Sequence, residues 1–149
     1  SFPGRKFTEY EMALTHDLRV CNFKSPDYWV RGIADLIIVD DDALTAHCFD
    51  YKSGNNKYPD TDQLDLMSLL IFKHFPHVRR VRSGLLFVLK NTVTRHNVDR
   101  DQEEKLWWRY RERVGRLEQA HANGVWNPTK SGLCARYCPV TTCEFNGGH

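Results

Sequence analysis

No apolar run in this sequence approaches the roughly 20 residues that a bilayer-crossing helix needs, and no charged leader followed by a short apolar stretch marks a secretory signal. A membrane-spanning helix and an exported product are therefore both disfavoured, and a cytoplasmic protein is the expectation. A strong charge of one sign is lacking too. The 21 Lys and Arg residues nearly cancel the 19 Asp and Glu, leaving +2, so any nucleic-acid surface must come from local clustering rather than bulk charge. A paired cysteine framework is also missing. The five cysteines are an odd number and three crowd the C-terminal end, a distribution that suits metal binding or free thiols better than secreted disulfides. Ser1 in place of an initiator Met is expected of a trimmed or processed chain.

What is present is ordinary for a soluble globular protein: 149 residues, 41% hydrophobic and 27% charged. That length predicts one domain over 1–149 with a real core, in which 126–149 forms a cysteine-containing extension. The stretch Arg31-Gly32-Ile33-Ala34-Asp35-Leu36-Ile37-Ile38-Val39 and the stretch from His47 to Lys52 read as strands. Both are short and rich in β-branched or aromatic residues. They are bounded by Asp40-Asp41-Asp42 and by Ser53-Gly54-Asn55-Asn56. Apolar residues flank Asp35 at odd and even positions alike, the pattern of a strand covered on both faces. An ionised carboxylate there needs a counter-charge or a metal, because its uncompensated desolvation costs on the order of several kcal/mol.

Side chains alternate across a strand, so Asp50 and Lys52 share one face and Tyr51 the other. A short turn between the two strands predicts that they are neighbours. Asp35 and Asp50 then converge on one hard cation with Lys52 beside it. Mg²⁺ takes oxygen ligands and is usually held by one or two carboxylates together with water and substrate phosphate. The chemistry this suits is metal-assisted phosphodiester hydrolysis.

Gly32-x-x-Asp35, then Asp50-Tyr51-Lys52-Ser53-Gly54, then Gln63-Leu64 at a helix start together resemble the PD-(D/E)XK nuclease superfamily. The likeness is nearest to its RecB-like branch, which includes phage-encoded exonucleases. It runs from about Lys6 to Phe75 and more loosely to the C-terminal cysteines. The resemblance implies an α/β fold, a mixed central β-sheet flanked by helices with a restriction-endonuclease-like core. It implies a DNA nuclease dependent on Mg²⁺ or Mn²⁺, of exonuclease type, in the host cytoplasm if phage-encoded. On this likeness Asp35, Asp50 and the Tyr51 backbone carbonyl hold the cation, with Glu9 bound directly or through water. Lys52 positions the attacking water or offsets charge on the phosphate, and Gln63 orients the nucleophile or a phosphate oxygen. The helix that usually precedes the first strand has no room here, so a protein partner or a missing N-terminal segment would complete the groove. The rival expectation is a catalytically inactive nuclease-fold domain that binds DNA or another protein.

Along the chain, residues 6–14 read as a first strand, with Phe7, Glu9 and Glu11 on one side and Thr8, Tyr10 and Met12 on the other. Glu9 is the better fit to the carboxylate that the family places there, with Glu11 second, and it fits equally a solvent-facing residue on an outer strand. Residues 19–27 read as a turn. Asp60 with Gln63 has the form of a capping box, which gives Gln63 a second, purely structural reading. Leu64, Met67, Leu70 and Ile71 repeat at helical spacing up to Pro76. Arg79, Arg80 and Arg82 form a basic segment, read either as a solvated linker or as phosphate contacts. Residues 83–90 and 92–98 read as two further strands.

Residues 99–121 read as the clearest helix, capped by Asp101 and Glu104, with Leu106, Tyr110, Val114 and Leu117 as an apolar stripe. Arg109 and Arg113 lie on another flank, as a solvated face or as DNA contacts. Cys134, Cys138 and Cys143 suit a soft or borderline metal better than Mg²⁺. The resemblance implies a 4Fe–4S cluster at such cysteines, with a spacing that departs from the family's by one residue. Cys21 would serve as fourth ligand, or His149 would, the latter making a zinc site; three unliganded cysteines are the alternative.

Overall fold

A computed structural model describes residues 2–54 and 61–148. They form a five-stranded mixed sheet in the order β1 (Arg5–Thr15), β2 (Tyr28–Asp40), β3 (Thr45–Lys52), β4 (Arg80–Phe87) and β5 (Thr92–Asp99). Only β3 and β4 run parallel. Parallel neighbours need a long crossover, and α1 (Asp62–His74) supplies it. The crossover brings the start of α1 back to the end of β3 where Lys52 stands. A second helix, α2 (Glu103–Asn123), follows β5. The chain divides into two compact units, Ser1–Trp108 and Arg109–His149. The division falls within α2, well before the expected extension at residue 126.

Helix α1 is apolar nearly all round. Leu64, Met67, Leu70 and Ile71 are buried as their spacing predicts, and Leu69 and Phe72 with them. Leu64 packs against Leu85 and Phe87 of β4, which identifies the odd-numbered side of β4 as the face under α1. Burying each such side chain contributes roughly 1.5–3 kcal/mol. The C-terminus of α1 is held by Arg100, whose guanidinium donates to the carbonyls of Phe72 (3.1 Å), Phe75 (3.2 Å) and Val78 (2.6 Å). Of these only the Phe72 carbonyl lies inside the helix, where Pro76 offers it no N–H, while the Phe75 carbonyl also accepts from the N–H of Val78; a cation at a helix C-terminus is favourable.

The simple alternation expected of β1 fails. Phe7 and Tyr10 both pack on Phe75, with ring centroids 5.4 and 5.6 Å away, so two residues three apart share a face. The cause is Glu9, whose φ of 48° is left-handed and turns the pleat over. Strand β2 shows the same change of phase. Gly32 faces Leu70 and Met67 of α1, whereas Ile37 lies opposite Phe7. The expectation of a strand covered on both faces holds for Ile37, Ile38 and Val39, but Ile33 is exposed and Asp35 is only half-buried.

Several boundaries differ from those the sequence predicts. Strand β4 starts at Arg80, so Arg80 and Arg82 belong to a strand rather than a linker, alternating with the fully buried Val81. It ends at Phe87, because Val88–Lys90 form a 3₁₀ turn closed by Asn91 in the left-handed region. The box ahead of α2 is made by Asp99 and Gln102, in a 3₁₀ turn at Arg100–Gln102, rather than by Asp101 and Glu104. On α2 the buried residue is Trp107, beside Trp29, while Leu117 of the expected stripe is exposed. Helix α1 has Thr61 at its N-cap without a side-chain bond, and Asp60 lies outside the described residues. Among the described residues no helix precedes β1, and none is long and apolar enough to cross a membrane.

Candidate active site

Neighbouring strands carry the two aspartates. The β2–β3 ladder pairs Leu36 with Phe49, and one step further sets Asp35 beside Asp50. Asp35 does more than lie nearby: its Oδ2 accepts a 2.7 Å hydrogen bond from the backbone N–H of Tyr51, fastening the middle of β2 to β3 one residue past the end of their ladder. Tyr51 itself turns its ring outward and is exposed.

Asp50, Lys52 and Gln63 make a closed ring. The Lys52 ammonium lies 2.8 Å from Asp50 Oδ2 and donates to Gln63 Oε1 at 3.0 Å. Gln63 Nε2 donates to Asp50 Oδ1 at 2.9 Å. The amide of Gln63 is thus directed into this ring from the first turn of α1. The Asp50 carboxylate side chain is 18% exposed and Lys52 35%. Asp50 Oδ2 is buried and has no hydrogen bond of good angle, its contact with the ammonium being an ion pair only. Both aspartates act on Cys48, one turn of the pleat before Asp50: burial first, then Asp50 and Asp35, push its thiol up to about 12.

Glu9 is exposed on β1. The pairs on either side of it, Thr8 with Leu36 and Tyr10 with Ala34, set it next to Asp35. Among the described residues no three or more His, Cys, Asp or Glu side chains are gathered closely enough to hold a metal ion. A hard divalent cation nevertheless suits Asp35 and Asp50. They are oxygen donors on adjacent strands, one with a buried oxygen that lacks a hydrogen bond, and Mg²⁺ sites commonly use one or two carboxylates with water.

The other expected residues lie elsewhere. Arg80 and Arg82 are on the even-numbered side of β4, away from α1, and Arg80 is ion-paired with Asp99. Arg79 precedes β4 and is exposed. Arg109 and Arg113 belong to the second unit, where Arg109 lies 5.5 Å from the ring centroid of Tyr110. In that unit Cys134, Cys138 and Cys143 line one hollow with Trp126 and Val140, and all are free thiols. Cys134 Sγ accepts from the N–H of Ser131 at 3.3 Å. Among the described residues they are not gathered into a metal-ligand cluster. Of the two expected fourth ligands, Cys21 is a half-buried free thiol and His149 lies outside the described residues.

Two groups near α1 escaped the sequence reading. His96 of β5 lies 2.7 Å from Asp65 of α1, and Arg100 caps the same helix. Nothing local in the sequence announces either: His96 meets α1 through the β4–β5 register, Ser83↔His96.

A mixed sheet with a parallel β3–α1–β4 crossover, bearing Asp35 and Asp50-x-Lys52 at the end of the parallel strand, defines a restriction-endonuclease-like α/β protein. The chain belongs to the PD-(D/E)XK nuclease superfamily, whose family model matches residues 2–143. Members of that superfamily are generally nucleases. Among the curated proteins and the solved structures searched, nothing matches significantly.

Proposed function

We propose that the protein is a Mg²⁺- or Mn²⁺-dependent deoxyribonuclease, an exonuclease of RecB-like type. The observation that carries this reading is the ring of Asp50, Lys52 and Gln63 with Asp35 on the adjoining strand. Asp35 and Asp50 hold the cation, and the Tyr51 carbonyl, on the same side of β3 as the N–H that bonds Asp35, is a third oxygen. Glu9, next to Asp35 in register, adds a ligand directly or through water. When bound, the ion polarises the scissile phosphate and lowers the pKa of its water. Lys52 sets a positive charge where negative charge builds on the phosphate oxygens. Gln63 holds Lys52 and Asp50 in register and orients the water or a phosphate oxygen. Arg109 and Arg113 are proposed backbone-phosphate contacts.

The test is release of nucleotides from end-labelled linear and single-stranded DNA with and without Mg²⁺ or Mn²⁺. Asp50→Ala and Lys52→Ala should each cost on the order of 10²–10³-fold or more, and Gln63→Ala about 10–100-fold, as for residues that orient a metal ligand. Equal activity in native and variant proteins overturns the proposal. Metal-dependent thermal stabilisation of the native protein without cleavage would instead favour a non-catalytic DNA-binding domain.

A further inference from the structure

The sheet face away from α1 holds a hollow of about 540 Å³, within the size range of small-molecule sites. Its floor is Gly84: a Cβ there would meet Val93 Cγ1 at 3.3 Å and the Phe49 ring at 3.4 Å, so a side chain would fill the depression. Arg95 lies opposite Gly84 and Asn97 opposite Arg82, which makes Arg82 and Arg95 diagonal neighbours on one face. Side chains so placed are within reach of each other. Both are exposed, and among the described residues neither has a hydrogen-bond or ion-pair partner. Arg80, by contrast, is neutralised by Asp99. Beside the two guanidiniums stands an aromatic wall, with Phe2 4.4 Å from His47 and 5.6 Å from Phe49 between ring centroids.

We propose that this hollow is a second nucleotide-binding site, separate from the carboxylate site across the sheet, in which Arg82 and Arg95 take the phosphate and Phe2 with Phe49 stack on the base. Like charges held near each other on a sheet are unfavourable without an anion between them, and guanidinium forks fit phosphate geometry. An exposed ring next to such a fork is the combination that binds single-stranded nucleic acid. A sulfate-like anion would use the arginines and leave the rings bare. A nucleotide uses both. The unit bound is either a free nucleotide or one residue of a strand, and the site stands independently of any cleavage.

The test is a titration of the metal-free protein, in chelator, followed by backbone amide chemical shifts, with dTMP, hexathymidylate and inorganic phosphate as probes. dTMP should shift Gly84, Arg95 and His47 saturably. The Arg82→Gln, Arg95→Gln double variant, altered only at exposed positions, should bind about tenfold or more weakly. Phe2→Ala should weaken dTMP but leave inorganic phosphate unchanged. Tighter binding of hexathymidylate than of dTMP identifies a strand as the ligand, and equal binding a free nucleotide. Inorganic phosphate binding as tightly as dTMP, or shifts confined to the surroundings of Asp50 and Lys52, overturns the proposal.

Discussion

Asp50 divides its two oxygens between an amide and an ammonium, Oδ1 to Gln63 and Oδ2 to Lys52. A single carboxylate therefore positions two partners from different elements, and substitution of Asp50 releases both. Glu9 shows the opposite economy. It holds a left-handed φ of 48° in the middle of a strand, a conformation that disfavours residues with a Cβ and that recurs at functional positions. Glu9→Gly should raise stability in urea unfolding by roughly 0.5–1 kcal/mol while weakening Mn²⁺ affinity; a gain in stability with unchanged affinity would reduce Glu9 to a backbone feature.

His74, whose Nε2 lies 3.3 Å from both the N and the O of Ala13, has its pKa lowered by burial. His47 is shifted the same way, by burial and then by the charge of Arg82. A histidine depressed in the folded state binds fewer protons than the unfolded chain does. The stability it contributes is therefore full above about pH 6.5 and is lost as pH falls from there through the lower folded value. Melting temperature should drop across that interval, and His74→Gln should flatten the slope. An unchanged slope would refute the assignment.

At the scale of elements, α1 is the part on which sheet and site both depend. It fills the crossover, buries its apolar side chains on β4 and directs Gln63 at Asp50. Arg100 fixes its far end. Arg100→Ala would leave the carbonyls of Phe72 and Val78 short of a donor, Phe75 keeping the N–H of Val78, and should cost about 2–4 kcal/mol in chemical unfolding. Arg100→Lys, which keeps the charge and loses the fork, should recover only part of it. A loss below about 0.5 kcal/mol, the level of an ordinary surface change, would mean that the cap is not needed. The sequence makes α1 readable because Leu64, Met67, Leu70 and Ile71 repeat at helical spacing. The reversal of β1 and β2 could not be read, since one left-handed residue sets it and glutamate carries no signal for that conformation. Arg100 was hidden for a related reason: its partners are backbone carbonyls 22 to 28 residues away, which leave no trace in side-chain pattern.

The whole molecule is a family fold with the signature pair on adjacent strands, and a second unit holding three thiols in one hollow. Asp35, Asp50, Lys52 and Gln63 were legible together because the motif fixes their spacing along the chain and the crossover does the rest. The hollow behind the sheet was not. It is assembled from Phe2, β3, β4 and β5, and Arg82 and Arg95 become neighbours only through the β4–β5 register.

The most direct measurement is anomalous diffraction from a crystal soaked in Mn²⁺. The predicted result is one manganese peak within coordinating distance of carboxylate oxygens from both Asp35 and Asp50. A structure in which those two carboxylates diverge, or in which manganese binds while touching neither, would contradict the hydrolytic site.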